Sequence, residues 1–151
     1  MTKGAQARVP NGLYTAWVIV TPAEHLPGTW VAHALEFDVV TQGSSAEDAL
    51  RMVVEALGIT LTDDLQEGLD PFRRRAPAEC WQQLRQMMEH GERIDGDALG
   101  AKIRESRFDA LAVMMWLQLR QVPVDATEGV RKPYDAPFAI ASHAATDAHP
   151  C

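Results

Sequence analysis

Histidine and carboxylate side chains occur close together at one place in the predicted core, where His33 is followed by Glu36 and Asp38. These residue types can exchange protons or share a metal ion. Alternate residues of a strand point to opposite faces, so His33 and Glu36 are not expected to face one substrate. We interpret His33 as a partly buried histidine at the rim of a sheet. An RNA-processing enzyme that uses His33 is kept as a third hypothesis.

Other sequence patterns give no support to catalysis or metal binding. The sequence has no Gly-rich phosphate loop and no G-x-S-x-G nucleophile turn. Cys80 and Cys151 lie far apart, without a histidine or cysteine at ligand spacing, which indicates neither a disulfide framework nor a zinc site. The IDGDALG segment at Ile94–Gly100 lacks the alternating oxygen ligands and distal glutamate of a calcium loop. We therefore expect no enzyme activity, no catalytic residue, no metal and no cofactor.

The densest basic cluster consists of Arg73, Arg74 and Arg75. Guanidinium groups bind phosphates and acidic partners, whereas the plainer interpretation is a solvated linker, which we favour. On that interpretation Arg74→Ala should barely change stability. Together with Trp17 and Trp30, these arginines form the set of candidate partner-binding residues.

Composition indicates an ordinary globular chain. It has 151 residues, 46% hydrophobic and 23% charged, and a formal net charge of −7. This length suits one domain, or one small domain with an appended region. The acidic balance argues against a general nucleic-acid sleeve and suits a basic protein partner. Met1–Pro10 has no apolar leader and no run reaches the length of a membrane span, so we expect a cytoplasmic protein without membrane contact.

The best-specified element is an amphipathic helix from Ser45 to Leu57 that continues to about Leu65. Its apolar residues recur at helical spacing and form one stripe: Ala46, Ala49, Leu50, Val53, Val54 and Leu57. Ser44 and Glu47 have the spacing of a capping box, and Gly43 suits a tight turn because glycine reaches positive φ easily. Leu50 should therefore lie in the core.

Three strands precede this helix in the prediction. Leu13–Thr21 is partly apolar on both faces, which predicts a strand covered on one side by the helix and on the other by a partner or the C-terminal region. Trp30–Phe37 alternates with a period of two, and Val39–Thr41 forms a short third strand.

The second half is predicted to be helical. Pro77 and Gly91 bracket a helix from Ala78 to His90, with Trp81, Leu84, Met87 and Met88 on its apolar face. A short helix follows at Ala98–Arg104. Ser106 and Asp109 have capping spacing ahead of Ala110–Gln121, which is apolar nearly all round. This run indicates a buried helix or a central strand, and its Ala, Leu, Met and Gln content favours the helix. Three of its residues form the candidate oligomer or packing surface: Leu111, Met115 and Trp116.

The segment from Trp30 to Leu57 resembles the HicB family of antitoxin domains. The likeness rests on WVAHALEFDVVTQGSSAEDALRMVVEAL, preceded by the strand-like LYTAWVIV at Leu13–Val20. Thr41-Gln42-Gly43-Ser44 and Glu47-Asp48-Ala49-Leu50 match the family's "QG" turn and the helix opening that follows it. PFRRRAPAECW at Pro71–Trp81 resembles the proline-bearing tail of several members. The resemblance implies a reduced RNase H-like sheet without metal-binding carboxylates, and a HicA-like toxin as partner.

These observations lead to an α+β prediction. A small antiparallel sheet of three or four strands, HicB-like with β-β-β-α order, is packed by one amphipathic helix and followed by a helical C-terminal region. The predicted segments are a flexible N-terminus (1–12), the HicB-like domain (13–77), a helical extension (78–122) and an extended or disordered arm (123–151).

Two functions follow from this prediction. The first is the antitoxin of a type II toxin–antitoxin system, which binds a HicA-like mRNA-cleaving toxin directly and whose C-terminal region dimerises or binds operator DNA. Acidic neighbours around Lys102, Arg104 and Arg107 weaken the case for DNA. The second is a stand-alone, non-catalytic, homo-oligomeric interaction or scaffold protein. In it, the chain's own C-terminal region covers the surface that a toxin would otherwise bind.

Overall fold

Residues 12–119 and 139–142 are described by the computed structural model. Within them the chain forms an α+β fold built on a six-stranded sheet. The strands are β1 (Gly12–Pro22), β2 (Trp30–Ala34), β3 (Val39–Gly43), β4 (Glu92–Ile94), β5 (Ala110–Leu119) and β6 (Ala139–Ser142). The helices are α1 (Ala46–Gln66), α2 (Ala78–His90) and α3 (Gly96–Glu105), with a 3-10 turn at Pro71–Arg73. The strand order is β3-β2-β1-β5-β6-β4, and every neighbouring pair is antiparallel.

The two faces of the sheet are covered by different helices. Alternate residues of β1, such as Ala16 and Val18, join the main core beneath α1 and α3. The intervening residues Trp17 and Ile19 belong to a second cluster with Cys80, Leu84 and Met87 of α2. Because both faces of β1 and β5 are covered, these central strands read as nearly continuous apolar runs.

Helix α1 begins with a capping serine, as predicted, but the cap lies one residue later than expected. Ser45, rather than Ser44, is the N-cap, and its Oγ accepts a hydrogen bond from the Asp48 N–H at 3.0 Å. The Asp48 carboxylate accepts one from the Ser44 N–H at 2.9 Å, which lowers the pKa of Asp48, with a further contribution from Arg51. Asp48 thus does what was predicted for Glu47, because the helix begins one residue later.

Gly43 is required for a reason other than the one predicted. Gly28 and Gly68 have positive φ angles, but Gly43 does not. A Cβ at Gly43 would instead lie 2.4 Å from the Ala49 nitrogen, at the point where the end of β3 passes under the first turn of α1. The glycine is therefore needed for close approach of strand and helix.

The prediction of a helix at Ala110–Gln121 was wrong. Ala110–Leu119 is the strand β5, which pairs with β1 in register from Gly12 opposite Leu119 to Val20 opposite Leu111. Ser106 does not cap a following helix, since it is the C-cap of α3 with φ of 54°. The apolar run is buried on both sides because it lies in the middle of a covered sheet, not because it is a core helix.

The predicted division of the chain changes accordingly. The predicted helical extension (78–122) contains two helices, α2 and α3, but also β4 and β5. Strand β6 falls within the predicted extended arm and pairs with β4 and β5. The rest of that arm and nearly all of the predicted flexible N-terminus lie outside the described residues. Among the described helices, none has the length and apolarity needed to cross a bilayer.

Candidate functional site

A groove lies on the α2 side of the sheet, beneath the loop that joins β1 to β2. It has a volume of about 240 Å³. We call it the hairpin groove and define it by Ile19, Glu24, Leu26, Val31, His33 and Gln83, which line it. A concave apolar site with a few polar groups is the usual form of a binding site.

The groove continues onto apolar surface that α2 leaves uncovered. Leu26 at its rim is 52% exposed. Val40 of β3 stands opposite His33 in the β2–β3 register and therefore on the same face of the sheet. It is 54% exposed. The groove and Val40 together form an apolar surface beside the end of the sheet.

Strand β3 is the edge of the sheet on this side. Its burial alternates, with Val40 and Gln42 exposed and Thr41 packed towards α1, where the Thr41 hydroxyl donates to the Ala49 carbonyl at 2.9 Å. The strand contains no lysine or proline, the residues that commonly protect an edge from pairing. An extended segment of a partner can therefore reach both the groove and a strand edge.

His33 forms the wall of the groove and is held on both ring nitrogens. Its Nε2 lies 2.8 Å from Oδ1 of Asp38, and its Nδ1 lies 3.9 Å from Sγ of Cys80. Asp38 has a φ of 52°, a left-handed conformation that aspartate tolerates better than most residues. The structure thus joins His33 to Asp38, as their proximity in sequence suggested, and adds Cys80, which was not predicted.

Glu36 is used elsewhere. Strand β2 ends at Ala34, so the predicted alternation does not extend to Glu36. Its Oε1 accepts a hydrogen bond from the Trp17 backbone N–H at 2.7 Å, in the position where the strand ladder has ended. Burial raises the pKa of the Glu36 carboxyl, although this hydrogen bond and the charge of Arg75 act in the opposite direction.

The three arginines have roles within the chain. Asp64 of α1 is buried and forms ion pairs with Arg74 at 2.6 Å and with Arg73 at 3.2 Å. The Arg75 guanidinium lies over the Trp81 ring, 4.2 Å from its centroid. The linker interpretation was therefore wrong for Arg73 and Arg74, which neutralise a buried carboxylate. A partner contact by these arginines stays a prediction.

The two tryptophans of the predicted partner-binding set lie on opposite sides of the sheet. Trp17 is 9% exposed and packs in the cluster beneath α2, which leaves little of its surface for a partner, so partner contact by Trp17 stays a prediction. Trp30 packs edge to face on Phe108, with ring centroids 5.3 Å apart, on the α1 side of the sheet. Neither ring lies at the hairpin groove.

The candidate oligomer or packing surface is divided between the two faces of β5. Leu111 and Met115 are buried in the main core, so they provide packing within the chain. Trp116 is half-buried and lies on the opposite face, as strand alternation requires. These residues therefore do not form one common surface.

Sequence reasoning missed Gln83 and Cys80 because it assigned Trp81 and Met88 to the buried face of α2 in their place. The buried residues of α2 are Cys80, Gln83, Leu84 and Met87, whereas Met88 is 46% exposed. The spacing of Cys80, Leu84 and Met87 was an available signal, and it would have placed Gln83 between them.

Among residues 12–119 and 139–142, no group of three or more histidine, cysteine or acidic side chains is arranged to hold a metal ion. Comparison of the chain with protein-family models, with curated proteins and with solved structures gave no match.

Proposed function

We propose that this chain is a HicB-like antitoxin, a non-catalytic protein that neutralises a small basic HicA-like toxin by binding it. The observation that carries the proposal is the hairpin groove, with its apolar walls and uncovered surroundings. In this proposal an apolar side chain of the toxin enters the groove beside Leu26. A central apolar anchor in a pocket is the usual source of affinity in a protein interface.

Charge favours a basic occupant. Glu24 lies at the rim of the groove, and the Asp38 side chain, 40% exposed, is close to the same wall through His33. None of the lining residues is a lysine or arginine. The whole chain carries a formal net charge of −7, which accelerates encounter with a positively charged protein.

The proposal predicts that the reading frame next to this chain's own gene encodes a small basic protein, and it is tested with that protein. That protein is expressed with and without this chain, and cell growth, RNA cleavage and complex mass are measured. We expect growth arrest and RNA cleavage to be relieved by this chain, with a complex of fixed stoichiometry.

Two matched variants locate the interface. Leu26→Asp places a charge at the groove, whereas Ile59→Asp places one on the outer surface of α1, on the opposite side of the sheet. The two native side chains are 52% and 54% exposed, so both substitutions start from similar exposure. We expect Leu26→Asp to weaken binding at least tenfold, which corresponds to about 1.4 kcal/mol or more, and Ile59→Asp to leave it nearly unchanged. Equal effects of the two variants would show that the groove is not the binding site.

A stand-alone, homo-oligomeric scaffold protein is the second candidate function. Two features of the C-terminal half favour it. Strand β5 occupies the centre of the sheet, and α2 covers much of one face of the sheet, so this half of the chain fills surface that a toxin would otherwise use. If the adjacent basic protein neither arrests growth nor binds, and the purified chain self-associates, this function replaces the first. DNA binding by the C-terminal half stays a prediction, tested by the salt dependence of binding to the chain's own promoter.

A further inference from the structure

A thiol, an imidazole and a carboxylate form a connected series behind the wall of the hairpin groove. They come from three separate elements: Cys80 from α2, His33 from β2 and Asp38 from the turn between β2 and β3. The Sγ to Nδ1 distance is 3.9 Å, and the Nε2 to Oδ1 distance is 2.8 Å. A thiol next to a histidine oriented by a carboxylate is the arrangement that activates cysteine nucleophiles.

The hydrogen bonds determine where the protons lie. An ionised carboxylate only accepts hydrogen bonds, so the proton of the neutral imidazole resides on Nε2 and is donated to Asp38. Nδ1 then presents its lone pair to Cys80 and can accept the thiol proton. The Asp38 carboxylate stabilises the imidazolium that results, because opposite charges at this separation attract.

The position of Cys80 in α2 also favours a thiolate. Cys80 is the third residue of a 13-residue helix, within the first turn, where the helix dipole creates a positive potential; its own N–H donates to the Pro77 carbonyl at 3.0 Å. The N-cap residue Pro77 provides no side-chain hydrogen bond to the N–H groups of this turn. A helix N-terminus and a neighbouring histidine favour the reactive thiolate, whereas burial among apolar side chains, which Cys80 also has, acts against it.

Access to the thiol is restricted to small molecules. Cys80 has no exposed surface. The hairpin groove reaches His33, which contacts the sulfur, and Gln83, which lies one helical turn beyond Cys80 on the same side of α2. Cys80 does not itself line the groove, so a molecule there reaches the sulfur only if the surrounding side chains move, and we expect this movement to admit a small uncharged molecule more readily than a bulky or charged reagent.

We propose that Cys80 is a peroxide-sensitive thiol, with His33 as its proton acceptor, Asp38 as a positioning residue and the hairpin groove as its entrance. The thiol transfers its proton to Nδ1 of His33, and the thiolate attacks one oxygen of hydrogen peroxide. The O–O bond breaks, and the departing hydroxide takes the proton from the imidazolium and leaves as water. Sulfur is oxidised by two electrons to the sulfenic acid, and the peroxide is reduced.

The test uses the full chain with Cys151→Ser, so that Cys80 is the only thiol. Hydrogen peroxide is added at pH 7, and the sulfenic acid is trapped with dimedone and measured by mass spectrometry. An ordinary thiol is only a few per cent ionised at this pH, so a cysteine whose proton is taken up by a neighbouring histidine should react faster; we expect Cys80 to be oxidised about tenfold faster than N-acetylcysteine. A bulky anionic aryl disulfide should react more slowly with the folded protein than with the urea-unfolded protein.

Two variants separate activation from folding. His33→Gln removes the proton acceptor and should reduce the peroxide rate at least tenfold. Asp38→Asn retains a residue type that tolerates positive φ and should reduce it three- to tenfold. Thiolate absorbance in the ultraviolet, taken as the difference from Cys80→Ser, should fall in both variants while the circular dichroism spectrum remains native. Peroxide oxidation of Cys80 no faster than that of N-acetylcysteine, or unchanged in Asp38→Asn, would overturn the proposal. Neither result depends on the antitoxin function.

Discussion

Removal of one arginine tests how the first half of the chain is held together. The Asp64 side chain is 7% exposed and relies on Arg74 and Arg73, whose side chains are 33% and 40% exposed. Arg74 makes the shorter contact, 2.6 Å against 3.2 Å. Arg74→Ala therefore leaves a buried carboxylate with only the longer, more exposed ion pair.

The expected loss lies between two limits. Breaking a fully buried ion pair by removing one partner costs about 3–5 kcal/mol, whereas an exposed pair contributes about 1 kcal/mol or less. Since Arg74 is one-third exposed and Arg73 remains, we expect Arg74→Ala to lower the free energy of unfolding by about 2 kcal/mol. Arg73→Ala should cost less, about 1 kcal/mol. The double variant should lose more than the sum, because the second removal leaves the charge unpaired.

Urea unfolding at pH 7 measures these differences. With a slope of about 1–3 kcal/mol per molar urea, the Arg74→Ala midpoint should fall by about 1 M. Arg85→Ala, at an exposed position on α2, is the control and should shift it little. Adding Asp64→Asn to Arg74→Ala should recover part of the loss, since the unpaired charge is removed. An Arg74→Ala midpoint equal to that of Arg85→Ala would refute the inference that Asp64 depends on this arginine.

Three further changes test the core and its electrostatics. Leu50→Ala should destabilise the protein by about 2–5 kcal/mol, because the Leu50 side chain on α1 is 1% exposed. Val40→Ala at the exposed sheet edge is the control and should cost less than about 1 kcal/mol. An unchanged melting curve for Leu50→Ala would show that the buried face of α1 has been assigned wrongly. Gly43→Ala should lower the melting temperature, because its Cβ would meet the Ala49 nitrogen at 2.4 Å; calorimetry that shows no loss would contradict this close approach. Glu36 has a folded-state pKa raised above 4.5, so the native state retains its proton more strongly and stability falls as pH rises through that folded pKa. Glu36→Gln should remove this fall. The prediction is refuted if the urea midpoint changes by the same amount between pH 4 and pH 7 in the unsubstituted protein and in Glu36→Gln.

Elements specified by local patterns were predicted correctly. The predicted helix Ala78–His90 has the same bounds in the structure, because Pro77 and Gly91 mark its ends. The main helix, predicted from Ser45 to about Leu65, is observed at Ala46–Gln66, since its stripe and cap lie within one continuous segment. Coarse α+β architecture followed from these elements and the alternating strands.

The failures occurred where distant segments decide the outcome. Ala110–Leu119 is apolar on all sides, a pattern that fits both a buried helix and a central strand, and helix propensity is a weak guide between them. Its strand form depends on pairing with β1, about a hundred residues earlier in the chain. Arg73 and Arg74 looked like linker residues because their partner, Asp64, lies on the preceding helix.

The sequence alone determined the local elements, because capping residues, glycines, prolines and apolar periodicity act over a few residues. Only the tertiary structure decided what those elements bring together. The hairpin groove needs a loop and two strands on one side and α2 on the other, and the Cys80–His33–Asp38 series joins residues up to 47 positions apart. Such contacts form when sheet register and helix packing place distant side chains side by side, and no short-range pattern encodes them.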